Sequence, residues 1–126
     1  MANNTKLIDG IGPKRLVVGA HYGVRDWLAQ RVTAVLMAVY TVVLLVWFFS
    51  AGNFSYEGWA SMFARQWFKL LTMVVFLGLL YHAWVGMRNV WMDYIKPTML
   101  RLVLQMATIA WLLICAAYAA QILWSV

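Results

Sequence analysis

The sequence predicts an all-α integral membrane protein with three transmembrane helices. Of its 126 residues, 65% are hydrophobic and only 11% are charged, which is too little polarity for the surface of a soluble domain. Three apolar runs without a charged residue are long enough to cross the hydrocarbon core of a bilayer. A segment in lipid must satisfy its own backbone hydrogen bonds, so each run is expected to be helical. The length favours one membrane domain, residues 1–126.

The first run, VTAVLMAVYTVVLLVWFF, predicts a span at about residues 28–50. The second, LLTMVVFLGLLYHAWVGM, lies between Lys69 and Arg88 and predicts a span at about 69–91. The third follows Arg101 and predicts a span at about 101–124. The sequence AGN after the first run predicts a helix break. Pro97 predicts a boundary before the third span, because the residue preceding a proline is disfavoured in a helix.

The basic residues predict the orientation of the chain. One group lies before the first span and in the second link, and comprises Lys6, Lys14, Arg15, Arg25, Arg31, Arg88, Lys96 and Arg101. The first link has only Arg65 and Lys69, and no basic residue follows the third span. The positive-inside rule therefore predicts a cytoplasmic N-terminus and a periplasmic C-terminus. Topology accounts for the net charge of +6, so no binding to nucleic acid is expected.

The N-terminal segment lacks the apolar region and cleavage site of a signal peptide, so the first span is expected to direct insertion. A multi-pass protein of the bacterial inner membrane is the simplest interpretation. The segments outside the spans are too short for a catalytic domain, so the chain is not expected to be an enzyme alone. The single cysteine, Cys115, is expected to be a small apolar packing residue.

His82 is a polar residue within the second apolar run. Its expected roles are haem or metal ligation, a proton path, or a hydrogen bond between helices. Gly78 and Gly86 lie four residues away on either side and share its helix face. That face could accept a flat porphyrin or form a helix-packing seam, and the glycines alone leave both alternatives open. His21 precedes the first span, so a second axial ligand to a haem is expected from another chain.

Three further residues carry functional alternatives. Arg31, at the start of the first span, could contact a haem propionate or anchor the helix to lipid phosphate. Asp93 and Tyr94 follow the second span, where a solvated acid and an interfacial aromatic residue are ordinary. Together they also offer a phenolic donor and an acid at the membrane boundary, which suits the carbonyl of a lipid-soluble quinone.

The segment HAWVGMRNVWMDYIKP resembles the signature of the hydrophobic D-type membrane-anchor subunit of bacterial succinate dehydrogenase, or complex II. GVRDWLAQRVTAVLM resembles the entry to that family's first span, FSYEGWASMF its first link, and LRLVLQ the start of its third span. The resemblance covers roughly residues 23–126. Well-known members have a histidine at the position of Arg25, so a role there that needs imidazole is in doubt. Asp26 matches, although an acid near a helix N-terminus is also ordinary.

The resemblance implies an anchor for a flavoprotein subunit, an iron–sulfur subunit and a second cytochrome b membrane subunit. Electrons from succinate would pass to ubiquinone, with a haem b shared between the two membrane subunits. His82 would be this chain's axial ligand to the haem iron, and Arg31 would approach a propionate. Tyr94 would bind the quinone carbonyl with Asp93 beside it, and no residue of this chain would be catalytic.

Two alternatives stay open at the level of sequence. One is the anchor of a fumarate reductase or of another quinone-linked cytochrome b, because an anchor chain does not reveal the direction of the reaction. The other is a non-redox assembly protein with three spans. In that protein His82 would bond one helix to another, and Tyr94 would be an interfacial aromatic residue.

Overall fold

A computed structural model describes residues 20–52 and 54–126, with side chains described from Gly23 onward. The described residues form four helices: α1 (Ala20–Ala51), α2 (Tyr56–Phe63), α3 (Gln66–Tyr94) and α4 (Thr98–Ser125). The predicted all-α fold is confirmed. His21 and the basic residues Lys6, Lys14 and Arg15 have side chains outside the described part of the chain.

Three of these helices are long and apolar enough to cross a membrane, as the sequence predicts. The candidate membrane-spanning segments are Gly23–Ala51 with 29 residues, Gln66–Tyr94 with 29 and Thr98–Ser125 with 28. At 1.5 Å per residue each measures about 42–44 Å, whereas the hydrocarbon core is about 30 Å thick. Each helix therefore extends beyond its predicted span at both ends. The orientation in the membrane stays a prediction.

Helix α3 is the middle helix of the bundle, because it packs against both α1 and α4. Few side chains are enclosed within the described chain; they are Met62, Phe68, Lys69, Val75 and Val85. Most of the large apolar side chains on the long helices are exposed. Such surfaces are what a bundle presents to lipid and to partner helices, since the bilayer rather than water is the surrounding solvent.

The first link contains the short helix α2, which the sequence reasoning did not predict. The predicted break after α1 is present, because Gly52 adopts a positive φ of 62° that glycine accepts without steric cost. The Ser55 hydroxyl then caps α2 by accepting a hydrogen bond from the Gly58 amide at 3.3 Å. Trp59 of α2 packs its ring against Phe48 of α1, with ring centroids 5.4 Å apart. This aromatic contact holds α2 against the end of the bundle.

The second link is shorter than predicted. Helix α3 continues through Arg88 to Tyr94, and α4 begins at Thr98 with Pro97 as its N-cap residue. The predicted boundary at Pro97 is therefore correct, but Asp93 and Tyr94 form the last turn of α3 rather than following it. The hydropathy of the sequence falls at Arg88, whereas the backbone hydrogen bonds continue because a helix needs no apolar side chains outside the hydrocarbon core.

Candidate functional site

His82 is held between α3 and α1 by two contacts from a single turn of α1. Its ring atom Nδ1 lies 2.9 Å from the hydroxyl Oγ1 of Thr33. The side-chain amide of Gln30 donates a hydrogen bond of 3.0 Å to the backbone carbonyl of His82. Both the ring and the backbone of this residue are therefore fixed against α1. The other ring nitrogen, Nε2, makes no hydrogen bond within the part of the chain that the structure describes.

The two glycines that flank His82 face α1. A Cβ atom placed on Gly78 would lie 3.6 Å from Cδ2 of Leu36 and 3.8 Å from Cγ2 of Thr33. A Cβ atom on Gly86 would lie 3.9 Å from the side-chain nitrogen of Gln30. Of the two alternatives for this face, the structure shows the helix-packing seam. Whether a porphyrin also reaches this face stays a prediction.

An open groove lies beside this seam and includes His82. Its volume is about 490 Å³, within the range of about 300–1,000 Å³ that ligand pockets occupy. The residues that line it come from α1 and α3: Gly23, Asp26, Trp27, Gln30, Arg31, Ala34, His82 and Asn89. The groove thus brings together two of the predicted site residues, His82 and Arg31. It combines an imidazole, a cation, an acid and two small residues.

Arg31 lies near the start of the predicted span but well inside α1, since the helix begins about 16 Å earlier at Ala20. Its neighbour Gln30 contacts His82, so Arg31 lies at nearly the same level along the bundle. The guanidinium stands over the Trp27 ring, 5.6 Å from the ring centroid. This cation–π contact orients the side chain toward the N-terminal end of α1. Within the described chain no ion pair involves Arg31.

An ion pair between Asp26 and Arg88 links α1 to α3 near the same end of the groove. The sequence does not predict this pair, because Asp26 there fits an acid near a helix N-terminus and Arg88 fits a determinant of topology. Asp26 instead lies six residues inside α1. The side chains of Asp26 and Arg88 are 27% and 32% exposed, and the buried Nε atom of Arg88 has no hydrogen-bond partner among the described residues.

A signal for these contacts is present in the sequence. Asp26, Gln30 and Thr33 follow one another at spacings of four and three residues, so they form a polar stripe on one face of α1. All three contact α3 in the structure. A polar stripe on a membrane helix predicts contact with another helix or a ligand rather than with lipid.

Asp93 and Tyr94 are exposed in the last turn of α3 and do not line the groove. Tyr94 is 79% exposed and lies about 18 Å along the helix axis from His82. Successive helix residues are rotated by about 100°, so Asp93 is nearly aligned with His82 and Tyr94 points away from that face. The structure thus separates the groove that includes His82 from a polar pair at the end of α3.

Comparison with known sequences gives concordant results. The model of the family described as "Succinate dehydrogenase/Fumarate reductase transmembrane subunit" matches residues 2–120. The chain is also similar to the succinate dehydrogenase hydrophobic membrane anchor subunit of Coxiella burnetii (strain RSA 493 / Nine Mile phase I). The two are 34% identical over 102 residues, which cover 81% of this chain and 89% of the relative.

Proposed function

The chain belongs to the family of succinate dehydrogenase/fumarate reductase transmembrane subunits, and from this premise we propose that it anchors a succinate:ubiquinone oxidoreductase in the bacterial inner membrane. It is a multi-pass membrane anchor subunit. Its partners in the proposal are a flavoprotein subunit, an iron–sulfur subunit and a second cytochrome b membrane subunit. The chain contributes binding sites and anchorage, whereas the oxidation of succinate belongs to the partner subunits.

The groove beside His82 suits a haem b shared with the second membrane subunit. The observation that carries this proposal is the convergence of His82 and Arg31 on one groove. Imidazole is a common axial ligand of haem iron, and Nε2 of His82 has no competing hydrogen bond in the described chain. A guanidinium without an ion pair is expensive in a membrane unless an anion is close, and a propionate supplies one. When bound, the haem supplies a one-electron redox centre.

The depth of His82 agrees with this assignment. His82 lies about 3 Å past the midpoint of α3, so a bilayer centred on the helix leaves it within the hydrocarbon core. Among the side chains that the structure describes it is the one histidine. In the proposal the second axial ligand comes from the partner membrane subunit. Thr33 contacts the imidazole of His82, and Gln30 bonds to the backbone carbonyl of the same residue.

The polar pair at the end of α3 suits a quinone at the membrane boundary. Tyr94 lies about 21 Å from the midpoint of α3, which is outside the 15 Å half-thickness of the hydrocarbon core. The exposed phenol donates a hydrogen bond to a quinone carbonyl, and the Asp93 carboxylate beside it exchanges protons with water. Both side chains are free for such a role, because the described chain gives neither a hydrogen-bond partner.

The proposed orientation places this end of α3 and the N-terminus of α1 in the cytoplasm. Arg25, Arg88, Lys96 and Arg101 lie toward this end of the bundle, and Arg65 and Lys69 lie at the opposite end. A second candidate is the anchor of a fumarate reductase, which the description of the matching family includes. The two enzymes differ in the potential of the quinone that they use.

The proposal is tested on the complete complex purified from membranes. A reduced-minus-oxidised spectrum of the wild type is expected to contain the absorbance of a b-type haem, and its absence would contradict the haem assignment. For the quinone, Tyr94→Phe removes one hydroxyl. It is expected to weaken quinone reduction about 2- to 12-fold, as the loss of one hydrogen bond of about 0.5–1.5 kcal/mol implies. Oxidation of succinate by an artificial dye should not change; an equal loss of both activities would indicate an assembly defect.

A further inference from the structure

The hydroxyl of Thr33 has one proton and three oxygen or nitrogen neighbours. Its Oγ1 lies 2.6 Å from the carbonyl oxygen of Ala29, 3.2 Å from that of Gln30, and 2.9 Å from Nδ1 of His82. The shortest contact has the geometry of a strong O–H···O hydrogen bond to a backbone carbonyl one turn earlier in α1. Because the Thr33 hydroxyl donates its hydrogen bond to the Ala29 carbonyl, its oxygen can only accept a hydrogen bond from Nδ1 of His82.

We infer that Thr33 is a positioning residue that fixes the tautomer of His82, with the proton on Nδ1 and the free electron pair on Nε2. This inference rests on the proposed haem site and deepens it. In the opposite tautomer Nε2 carries the proton, and the described chain offers that N–H no acceptor. An unpaired N–H donor inside a bilayer is unfavourable, so the tautomer that presents Nε2 as a ligand is the stable one before haem binds.

Two other contacts make this arrangement rigid. Gln30, in the same turn of α1 as Thr33, bonds to the backbone carbonyl of His82 at 3.0 Å. The methyl group of Thr33 faces Gly78, 3.8 Å from the position that a Cβ atom there would take, so α1 and α3 are in van der Waals contact at this point. Ring, backbone and helix spacing are thus set by neighbouring residues of the same two helices. Donation from Nδ1–H also makes Nε2 more basic and a stronger ligand, as in metal sites whose ligating histidines bond to a second residue.

Thr33→Val is the direct test, because it keeps the shape of the side chain and removes the hydroxyl. In the purified complex we expect the midpoint potential of the haem to rise, since a weaker imidazole ligand stabilises ferric iron less. We also expect haem transfer to an excess of apomyoglobin to become about 10-fold faster, the lower end of the effect for a lost partner of a metal-bound histidine. Thr33→Ser keeps the hydroxyl, so it should retain the wild-type potential and transfer rate.

The outcomes separate this inference from the proposed function. If the wild-type complex contains no b-type haem, the proposed function fails. If it contains haem, and Thr33→Val has the potential and transfer rate of the wild type, the role of Thr33 is wrong. Equal changes in Thr33→Val and Thr33→Ser would also overturn it, because they would report packing rather than the hydroxyl. Should Thr33→Val not assemble, the smaller Thr33→Ala replaces it and is compared with Thr33→Ser in the same way.

Discussion

The seam between α1 and α3 gives a sharp prediction at Gly78. A Cβ atom here would meet Leu36 at 3.6 Å and Thr33 at 3.8 Å, which are ordinary van der Waals distances. Gly78→Ala should therefore be accepted without movement of α1. It should also stabilise the helix, because alanine is more favourable than glycine in a helix interior by about 0.8–1 kcal/mol. Haem content and spectrum are expected to match those of the wild type.

Gly78→Leu is expected to behave in the opposite way. The three carbons beyond Cβ would have to occupy space that α1 already fills, and overpacking of this kind destabilises by about 1–3 kcal/mol. Movement of α1 would also draw Thr33 away from His82, because Thr33 is one of the two residues that face Gly78. The variant should thus show both a lower thermal midpoint and an altered haem spectrum.

The assay is thermal unfolding of the purified complex in detergent, combined with the reduced-minus-oxidised haem spectrum. Gly78→Ala is the matched control for Gly78→Leu at the same position. The reasoning would be refuted if Gly78→Leu had the stability and spectrum of the wild type, because an open glycine face would then be indicated. Equal destabilisation by alanine and leucine would also refute it, because the space measured at Gly78 would then not exist.

Three further predictions follow from the groove, the ion pair and the charge distribution. Arg31→Leu should lower the midpoint potential of the haem, because loss of a nearby cation favours ferric iron. Arg31→Lys keeps the positive charge and should have a potential close to that of the wild type. A redox titration that finds the same potential in both variants would contradict contact between Arg31 and a propionate. Asp26→Asn should lower the thermal midpoint of the complex by an amount equivalent to about 1–3 kcal/mol, because it leaves Arg88 without its counter-ion. Glu57→Gln is the control, since Glu57 is exposed and has no ion pair in the described chain. An equal effect of the two substitutions would show that the ion pair is unimportant. Alkaline phosphatase fused after Val126 should be active, since the basic residues predict a periplasmic C-terminus. An inactive phosphatase fusion together with a fluorescent green fluorescent protein fusion at the same site would contradict the predicted orientation.

The three long helices could be predicted from the sequence because uncharged apolar runs of this length have few alternatives in a membrane protein. The ends of the helices could not be predicted, because α3 continues to Tyr94, beyond the end of its apolar run. Hydropathy reports where the hydrocarbon ends, whereas helical hydrogen bonding continues into the interface. Helix α2 escaped prediction because its eight residues are too few for a clear periodicity and lie between residues typical of turns.

For the candidate site, the sequence identified residue types but not their neighbours. His82 could be singled out because an imidazole is unusual within an apolar run. The choice between a haem face and a packing face at Gly78 depends on the rotation of α3 relative to α1. That rotation is set by packing over the whole interface, and no local pattern around His82 encodes it. The contacts of Thr33 and Arg88 therefore follow from the relative position of α1 and α3, which the sequence does not specify.

The central claim is that His82 provides an axial ligand to a haem b in the groove between α1 and α3. The most direct measurement is the low-temperature spectrum and haem content of the purified His82→Ala complex, with and without added imidazole. We expect haem to be lost or to become high-spin, and added imidazole to restore part of the low-spin signal by occupying the vacated position. Wild-type haem content with an unchanged low-spin spectrum in His82→Ala would contradict the claim.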